Sequence, residues 1–178
     1  MSAVRFGKLD VGSSVEWYTP PEIFEALGLS FNIDACAPPG GVPWVPAKRS
    51  FSRADDGLAQ EWRGRVWVNP PYGRGIEKWM QKLSAHGDGI ALVHSRTDTR
   101  WWQAALTEAT AICFIRSRVR FVNGRTGEQI GPGSPMPNVL IAYGLACGMA
   151  VANSGLGSTL IVPRPLDAVE APRRRKAA

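Results

Sequence analysis

Residues 66–73 read Val66-Trp67-Val68-Asn69-Pro70-Pro71-Tyr72-Gly73, a short apolar run that stops at an amide and two prolines. The alternating valines predict a buried strand, and the strand must end here because proline has no N–H group to donate to a sheet. Residues 69–72 are therefore expected in a rigid loop at the carboxyl end of a strand. Open α/β sheets bind their ligands at that edge. The stretch thus predicts a ligand-binding loop.

The composition is that of an ordinary globular domain. The chain has 178 residues, which suits one domain, and 44% of them are hydrophobic while 20% are charged. No apolar run approaches the ~20 residues of a membrane helix, and the first residues lack a secretory signal pattern, so we expect a cytoplasmic protein. Three widely spaced cysteines predict neither a disulfide framework nor a zinc site.

The positive charge is concentrated near the end of the chain. The net charge is +6, and the four basic residues at 173–176 account for +4 of it, which leaves +2 for the remainder. This distribution permits a nucleic-acid partner, but the charge of the predicted domain does not demand one. We expect the basic tail to add affinity that is independent of nucleotide sequence.

Apolar periodicity predicts alternating strands and helices. Strands are expected at 31–34, 65–68, 89–93, 111–115, 138–142 and 159–162. Helices are expected from Thr19, from Ile76, after Asp98 or Thr99, and from Ala146. The alternation favours an α/β fold whose mainly parallel sheet is covered by helices on both faces. We expect a long irregular loop at 38–57 and an antiparallel hairpin with a long tip at 118–142.

The first predicted helix has a recognisable N-terminal signal. Thr19 is expected to cap it, Pro20 takes the first helical position, and Glu22 follows the cap by three residues, as in a capping box. Gly28 is expected to end the helix. Helix capping alone would explain the whole segment.

Two further segments have both a functional and a structural interpretation. Asp34 ends a predicted strand and precedes small residues and glycines, which is typical of a cofactor-binding turn or of a surface turn. Arg116, Arg118 and Arg120 alternate with other residues, so a strand would place all three on one face. That face is either a contact surface or the solvated side of an edge strand.

Four fragments in order within residues 16–145 resemble the S-adenosylmethionine-dependent DNA adenine-N6 methyltransferases, in particular the small phage and prophage members related to the Dam group. The most specific is the NPPY sequence at 69–72, which matches the family's (D/N/S)PP(Y/F) catalytic motif after a strand. The others resemble its cofactor-contacting segments: Thr19-Pro20-Pro21-Glu22, Asp34-Ala35-Cys36-Ala37-Pro38-Pro39-Gly40 and Asp56-Gly57-Leu58.

The resemblance implies a single Rossmann-like class I methyltransferase domain with a C-terminal antiparallel hairpin. It would occupy residues 16–162, between a flexible arm at 1–15 and a basic disordered tail at 163–178. The implied reaction transfers a methyl group from S-adenosylmethionine to adenine N6 in double-stranded DNA, without a metal. A restriction-modification or prophage enzyme of this kind would act in the cytoplasm of a bacterial host.

The resemblance also assigns site residues. The implied catalytic residues are Asn69, Pro70, Pro71 and Tyr72. The implied cofactor-binding residues are Thr19, Pro20, Asp34, Cys36, Ala37, Asp56 and Asn69. As contacts to DNA phosphates we expect the basic side chains of Lys48, Arg49, Arg116, Arg118 and Arg120.

The chemistry of amine methylation suits the implied loop. The lone pair of the adenine amine is delocalised into the ring, and two acceptors aimed at its hydrogens would localise it. The Asn69 side-chain carbonyl and the Pro70 backbone carbonyl are the expected pair, and Tyr72 offers a flat face for an extruded base. No strong general base is needed, so His94 is interpreted as a structural residue, with a pocket-lining position as the alternative.

Two alternatives keep part of this interpretation. The same loop chemistry would serve a methyltransferase that acts on RNA or on a protein glutamine amide, since both present a planar NH₂ group. A catalytically degenerate DNA-binding protein is the other. It is suggested by Pro38 and Pro39, which stand where the family has small residues, and by the lack of an acidic residue between Asp34 and Asp55 to hold the cofactor ribose.

Overall fold

The computed structural model describes residues 17–123 and 126–163. The predicted arm at 1–15 and the predicted tail, apart from Pro163, lie outside the described residues. Chain order gives α1 (Pro21–Leu27), β1 (Phe31–Asp34), β2 (Ala47–Ser50), β3 (Val66–Val68), α2 (Ile76–His86), β4 (Gly89–His94), α3 (Arg100–Glu108), β5 (Ala111–Ile115), β6 (Asn138–Tyr143), α4 (Leu145–Asn153) and β7 (Gly157–Ile161).

The strands form one mixed sheet in the order β2-β1-β3-β4-β6-β5-β7. Among the described residues, β1 pairs in parallel with β2 and β3, and β3 pairs in parallel with β4. The pairings of β6 with β4 and β5, and of β5 with β7, are antiparallel. The α/β class is therefore confirmed and agrees with a methyltransferase-like fold, but the sheet is mixed and only half of these pairings are parallel.

Apolar helix faces cover both sides of the sheet. On one side, Met80 and Leu83 of α2 pack with Trp102 of α3 against buried strand residues. On the other side, Phe24 of α1 packs with Cys147 of α4 in a second buried cluster. Because β3 and most of β4 are buried on both faces, they are continuous apolar runs rather than alternating ones.

Strand β2 was not expected from the sequence, where 38–57 is predicted as a loop. Ala47–Ser50 is a polar, largely exposed edge strand whose backbone pairs with β1. Because β2 lies at the edge of the sheet and is largely exposed, its side chains do not alternate between apolar and polar. Backbone pairing holds it, and residue types cannot report that.

The predicted hairpin at 118–142 is wrong in its first limb. The antiparallel pair is formed by β5 and β6, and the described residues of the connection at 116–137 form no further strand of the sheet. Val119 and Phe121 are buried while Arg118 and Arg120 are exposed, so the predicted alternation exists without a strand. Isolated antiparallel bridges join Val122 to Tyr18 and to Gln129.

The predicted capping box at Thr19 is also wrong. Helix α1 starts at Pro21, its N-cap is Pro20, and no side chain caps it. Thr19 is instead buried, at 2% exposure, and its backbone carbonyl accepts a hydrogen bond of 2.9 Å from the Trp44 indole. The end of the helix at Gly28, in a left-handed conformation, is as expected. No helix among the described residues has the length and apolar character to span a bilayer.

Candidate active site

A cavity of about 600 Å³ opens at the carboxyl ends of the parallel strands. Its size lies within the usual range for small-molecule sites. The cavity is lined by residues 17–18, 35–38, 51–53, 56–57, 69–72, Trp79, His94 and Pro135. Residues 35–38, 51–53 and 69–72 directly follow β1, β2 and β3, and His94 ends β4. The parallel register thus brings four separate segments to one edge, as expected from the 66–73 stretch.

Asn69 directly follows β3, and both polar atoms of its side-chain amide are hydrogen-bonded. Its Nδ2 donates to the Trp17 carbonyl at 3.0 Å, and its Oδ1 accepts from the Tyr72 hydroxyl at 3.3 Å. The Asn138 amide in turn donates to the Tyr72 oxygen at 3.4 Å. A carbonyl oxygen has two lone pairs, so Oδ1 can accept a further donor while its direction stays fixed.

The two prolines shape the loop after Asn69. Pro70 is buried and Pro71 is exposed, and both line the cavity. Each ring fixes the backbone φ angle and removes an N–H donor, so the loop cannot extend β3. Gly73 and Gly75, at φ angles of 131° and 99°, then turn the chain into α2. Residues other than glycine would be strained at these φ angles.

One face of Tyr72 is already covered. The His94 imidazole lies parallel to it, with ring centroids 3.9 Å apart and an interplanar angle of 7°. Phe121 meets the same tyrosine in an edge arrangement at 6.1 Å. One stacking face of Tyr72 is therefore occupied by His94, which takes the pocket-lining position that the sequence left as the alternative.

The His94 ring is held by a side-chain contact, and its pKa is lowered. Its Nε2 lies 3.3 Å from the Ser134 hydroxyl, which donates to the Met136 carbonyl at 2.8 Å. Burial lowers the pKa of His94, and the nearby positive charges of Arg96 and Arg118 lower it further. The lowered pKa favours the uncharged imidazole in the stack on Tyr72.

The turn after β1 lines the cavity with residues 35–38. Asp34 is 5% exposed, and its Oδ1 accepts a 3.2 Å hydrogen bond from the Cys36 backbone N–H. Burial raises the pKa of Asp34 to about 6 despite that hydrogen bond. Cys36 lines the cavity next to it, and burial raises the pKa of its thiol, as does the neighbouring Asp34. Asp34 does not itself line the cavity, but its buried carboxylate lies beside the lining residue Cys36, where it favours a positively charged ligand group.

The second acidic segment forms another wall. Asp56 is exposed, lines the cavity and has a φ angle of 51°, which is uncommon outside glycine. Its Oδ1 accepts from the Leu58 N–H at 3.2 Å. A Cβ atom on Gly57 would lie 2.2 Å from the Ala35 carbonyl oxygen, so only glycine fits between the two cofactor-like segments. The fragments at 34–40 and 56–58, which are distant in sequence, are thus in contact.

Not every predicted site residue reaches the cavity. Asp34, Thr19 and Pro20 are buried beside it without lining it, and Thr19 Oγ1 has no hydrogen-bond partner among the described residues. The predicted DNA contacts are exposed on two segments: Lys48 and Arg49 on β2, and Arg116, Arg118 and Arg120 on the β5–β6 connection. The Arg49 guanidinium lies over the Phe51 ring at 5.3 Å.

The structure also adds lining residues that sequence reasoning missed. Ser52 and Arg53 follow β2, and they were overlooked because that strand was not predicted. Trp17, Trp79 and Pro135 reach the cavity through tertiary packing, for which the sequence has no local signal. Within the described ranges, no cluster of three or more His, Cys, Asp or Glu side chains could hold a metal ion.

Comparison with known proteins adds one finding. A family model described as DNA N-6-adenine-methyltransferase (Dam) matches residues 8–143. This span includes every segment that lines the cavity. No curated protein and no solved structure matches the chain.

Proposed function

The chain belongs to the DNA N-6-adenine-methyltransferase (Dam) family, and we propose that its cavity methylates adenine N6 with the loop at 69–72 as the catalytic element. The family implies a DNA substrate and adenine as the methyl acceptor. The observation that carries the residue assignment is the fixed Asn69 amide at the edge of the cavity.

The proposed role of Asn69 is to accept a hydrogen bond from the target amine. Its Oδ1 keeps one lone pair beyond the Tyr72 contact, and the Trp17 carbonyl prevents the amide from rotating. The Pro70 backbone carbonyl is proposed as the second acceptor, because the ring limits its reorganisation. Two preorganised acceptors would localise the nitrogen lone pair for attack, and the amine would lose its proton afterwards.

The cavity supports S-adenosylmethionine as the methyl donor. When bound, this cofactor supplies an electrophilic methyl group on a sulfonium centre. The buried carboxylate of Asp34 suits its amino-acid ammonium group, and the exposed carboxylate of Asp56 suits its adenine amine. Cys36 and Ala37 line the wall between them. Thr19 and Pro20 are proposed to support that wall from behind.

The turn at Pro38-Pro39 does not argue against a ligand. Pro38 lines the cavity and Pro39 is exposed, while Gly40 and Gly41 directly after them adopt φ angles of 85° and 74°. The conformational freedom that the family places at the prolines is thus available two residues later. Ser52 also lines the cavity, and we propose that it offers the ribose a hydroxyl where no acidic residue is present.

The basic side chains near the cavity are proposed to bind the DNA backbone. Arg116, Arg118 and Arg120 lie on the connection that also contributes Pro135 to the cavity lining. Lys48 and Arg49 lie on the edge strand at the other end of the sheet. Contacts with phosphates from both sides would orient a duplex over the opening, while the target base would be extruded towards Asn69.

A labelled-methyl assay tests this proposal. The protein is incubated with unmethylated double-stranded DNA and methyl-labelled S-adenosylmethionine, the DNA is digested to nucleosides, and the label is expected in N6-methyladenine. Parallel reactions with RNA and with a glutamine-containing protein test the alternative acceptors. Label in RNA or protein but not in DNA would overturn the proposed acceptor.

Calorimetry with S-adenosylmethionine distinguishes a catalytically degenerate protein from one that has no cofactor site. Binding of S-adenosylmethionine without transfer to any acceptor would indicate a catalytically degenerate member of the family. Absence of binding by protein with a cooperative melting transition would overturn the proposed cofactor site.

A further inference from the structure

We propose that Lys82 is a positioning residue, whose ammonium group fixes the backbone of residues 56–60 so that Asp56 is held at the cavity wall before the cofactor binds. This inference rests on the proposed function, since Asp56 matters here only as a cofactor contact. Lys82 lies on α2, outside the four fragments that resemble the family, and does not line the cavity.

The Lys82 ammonium is surrounded by carbonyl oxygens of one short segment. It donates to Gly57 O at 3.3 Å, to Leu58 O at 2.7 Å and to Gln60 O at 2.5 Å. An ammonium group has three N–H donors and no acceptor, so this arrangement uses its full capacity. Three carbonyl dipoles that converge on one point would repel one another without a cation between them.

Trp62 completes the support. Its indole Nε1 donates to Gly57 O at 2.9 Å, and the Lys82 ammonium lies 4.6 Å from its ring centroid. The Trp62 ring also stacks on Trp79, a cavity-lining residue, with centroids 6.3 Å apart. The carbonyl of Gly57 therefore accepts two donors from different parts of the chain.

The segment needs this support because its conformation is unfavourable by itself. Asp56 has a positive φ angle, and Gly57 is pressed against the Ala35 carbonyl so closely that no Cβ atom would fit. Residues held in such conformations persist only where the surroundings determine them. Without the ammonium group, the segment can relax away from Ala35 and carry the Asp56 carboxylate from the wall. Cofactor binding would then have to reorder it.

The test compares the variants K82M and K78M. Methionine keeps the length of the lysine stem without the charge, and Lys78 is an exposed residue one turn earlier on the same helix. Calorimetry with S-adenosylhomocysteine is expected to give a Kd for K82M roughly tenfold above that of the wild type, because ordering is transferred to the binding step. K78M should bind as the wild type does.

Steady-state kinetics provide the second readout. For K82M the KM for S-adenosylmethionine should rise with the Kd, while kcat at saturating cofactor stays within about twofold, since bound cofactor restores the segment. K82R retains the charge and several donors and is expected to recover part of the affinity. A fall in kcat at unchanged KM would overturn the proposal, as would equal Kd values for K82M and the wild type.

A folding defect would not leave the question open. If K82M has no cooperative melting transition, W62F replaces it as the probe, since it removes one donor to Gly57 O and keeps an aromatic ring. A smaller rise in Kd supports the proposal, and an unchanged Kd overturns it. If the wild-type protein binds neither S-adenosylmethionine nor S-adenosylhomocysteine, the proposed function itself is overturned. If the wild type binds them and the variants bind equally well, only the role of Lys82 is overturned.

Discussion

The two halves of the sheet contribute to the candidate site in different ways. The parallel half, β2-β1-β3-β4, is followed by the segments that form most of the described cavity lining. The antiparallel half, β6-β5-β7, contributes Pro135 through the β5–β6 connection. Parallel strands end at the same edge, so their loops gather there, whereas antiparallel strands send alternate loops to opposite edges.

The difference indicates a division of tasks. The parallel half carries the carboxylates and the Asn69 loop, where cofactor chemistry and methyl transfer would occur. The antiparallel half carries an exposed arginine segment at 116–120 on its long connection. Apart from Lys48 and Arg49 on β2, substitutions in the first half should therefore change the rate or cofactor affinity, and those in the second should change DNA affinity.

Replacement of Asn69 by alanine tests the parallel half most severely. The variant N69A lacks the Oδ1 acceptor, and kcat should fall ~100- to 1000-fold, as for loss of one preorganised group in other active sites. Single-turnover measurement of N6-methyladenine formation checks this. Calorimetry with S-adenosylhomocysteine should show cofactor affinity reduced far less than the rate. An unchanged rate would remove Asn69 from the proposed mechanism.

Replacement of Asp34 by asparagine should make the protein more stable and less able to bind cofactor. Burial raises the Asp34 pKa from 3.8 to about 6, so ionisation of the folded protein at pH 7 costs about 3 kcal/mol at ~1.36 kcal/mol per pKa unit. Asparagine has no charge to bury and can still accept from the Cys36 N–H. D34N should therefore exceed the wild type in unfolding free energy by up to that amount at pH 7.

The sign of the pH dependence makes this prediction specific. Since the folded protein binds the proton more tightly than the unfolded chain, wild-type stability falls as pH rises from about 4 to about 6 and is then constant with respect to this group. Urea titrations across this range should show the gap between D34N and wild type open over the same interval. A gap that is equal at pH 4 and pH 7 would contradict the buried carboxylate as its cause.

The smallest expected effects concern the antiparallel half. Alanine at Arg116, Arg118 or Arg120 should weaken DNA binding and reduce the slope of log K against log salt by about 0.9 for each phosphate that is no longer neutralised. Fluorescence anisotropy of a labelled duplex over a salt series measures this. R63A is the matched control, because Arg63 is exposed and paired with Glu61 at 2.9 Å in the other half. Equal slopes for the arginine variants and R63A would contradict the division of tasks.

Local chemistry explains what the sequence predicted well. The end of β3 and the loop at 69–72 follow from the missing N–H groups of two prolines, which no tertiary context can restore. The apolar strands β4 and β5 were likewise predicted at nearly their observed bounds, because burial on both faces leaves a continuous apolar run. The α/β class followed from the alternation of such runs with helices.

Tertiary context explains what it missed. β2 is a polar edge strand held by the backbone of β1, and residue types do not encode that pairing. The threonine at position 19 satisfies the capping pattern, yet it is buried under Trp44 and the helix begins two residues later. The contact of Gly57 with Ala35 likewise depends on two segments that are distant in sequence.

Under the proposed function, the stack of His94 on Tyr72 would make capture of an extruded base an exchange of aromatic contacts. An extruded adenine that takes this face of Tyr72 must first displace the imidazole, so it replaces one aromatic contact with another. Aromatic pairs contribute about 0.5–1.5 kcal/mol beyond their burial, and base stacking typically ~1–3 kcal/mol, so the net gain is of order 1 kcal/mol. The larger share of the free energy that holds an extruded base must then come from hydrogen bonds to its amine and from the surrounding DNA contacts. Bases whose edges cannot make those hydrogen bonds would gain little free energy from entering. The stacked His94 would therefore favour adenine over such bases.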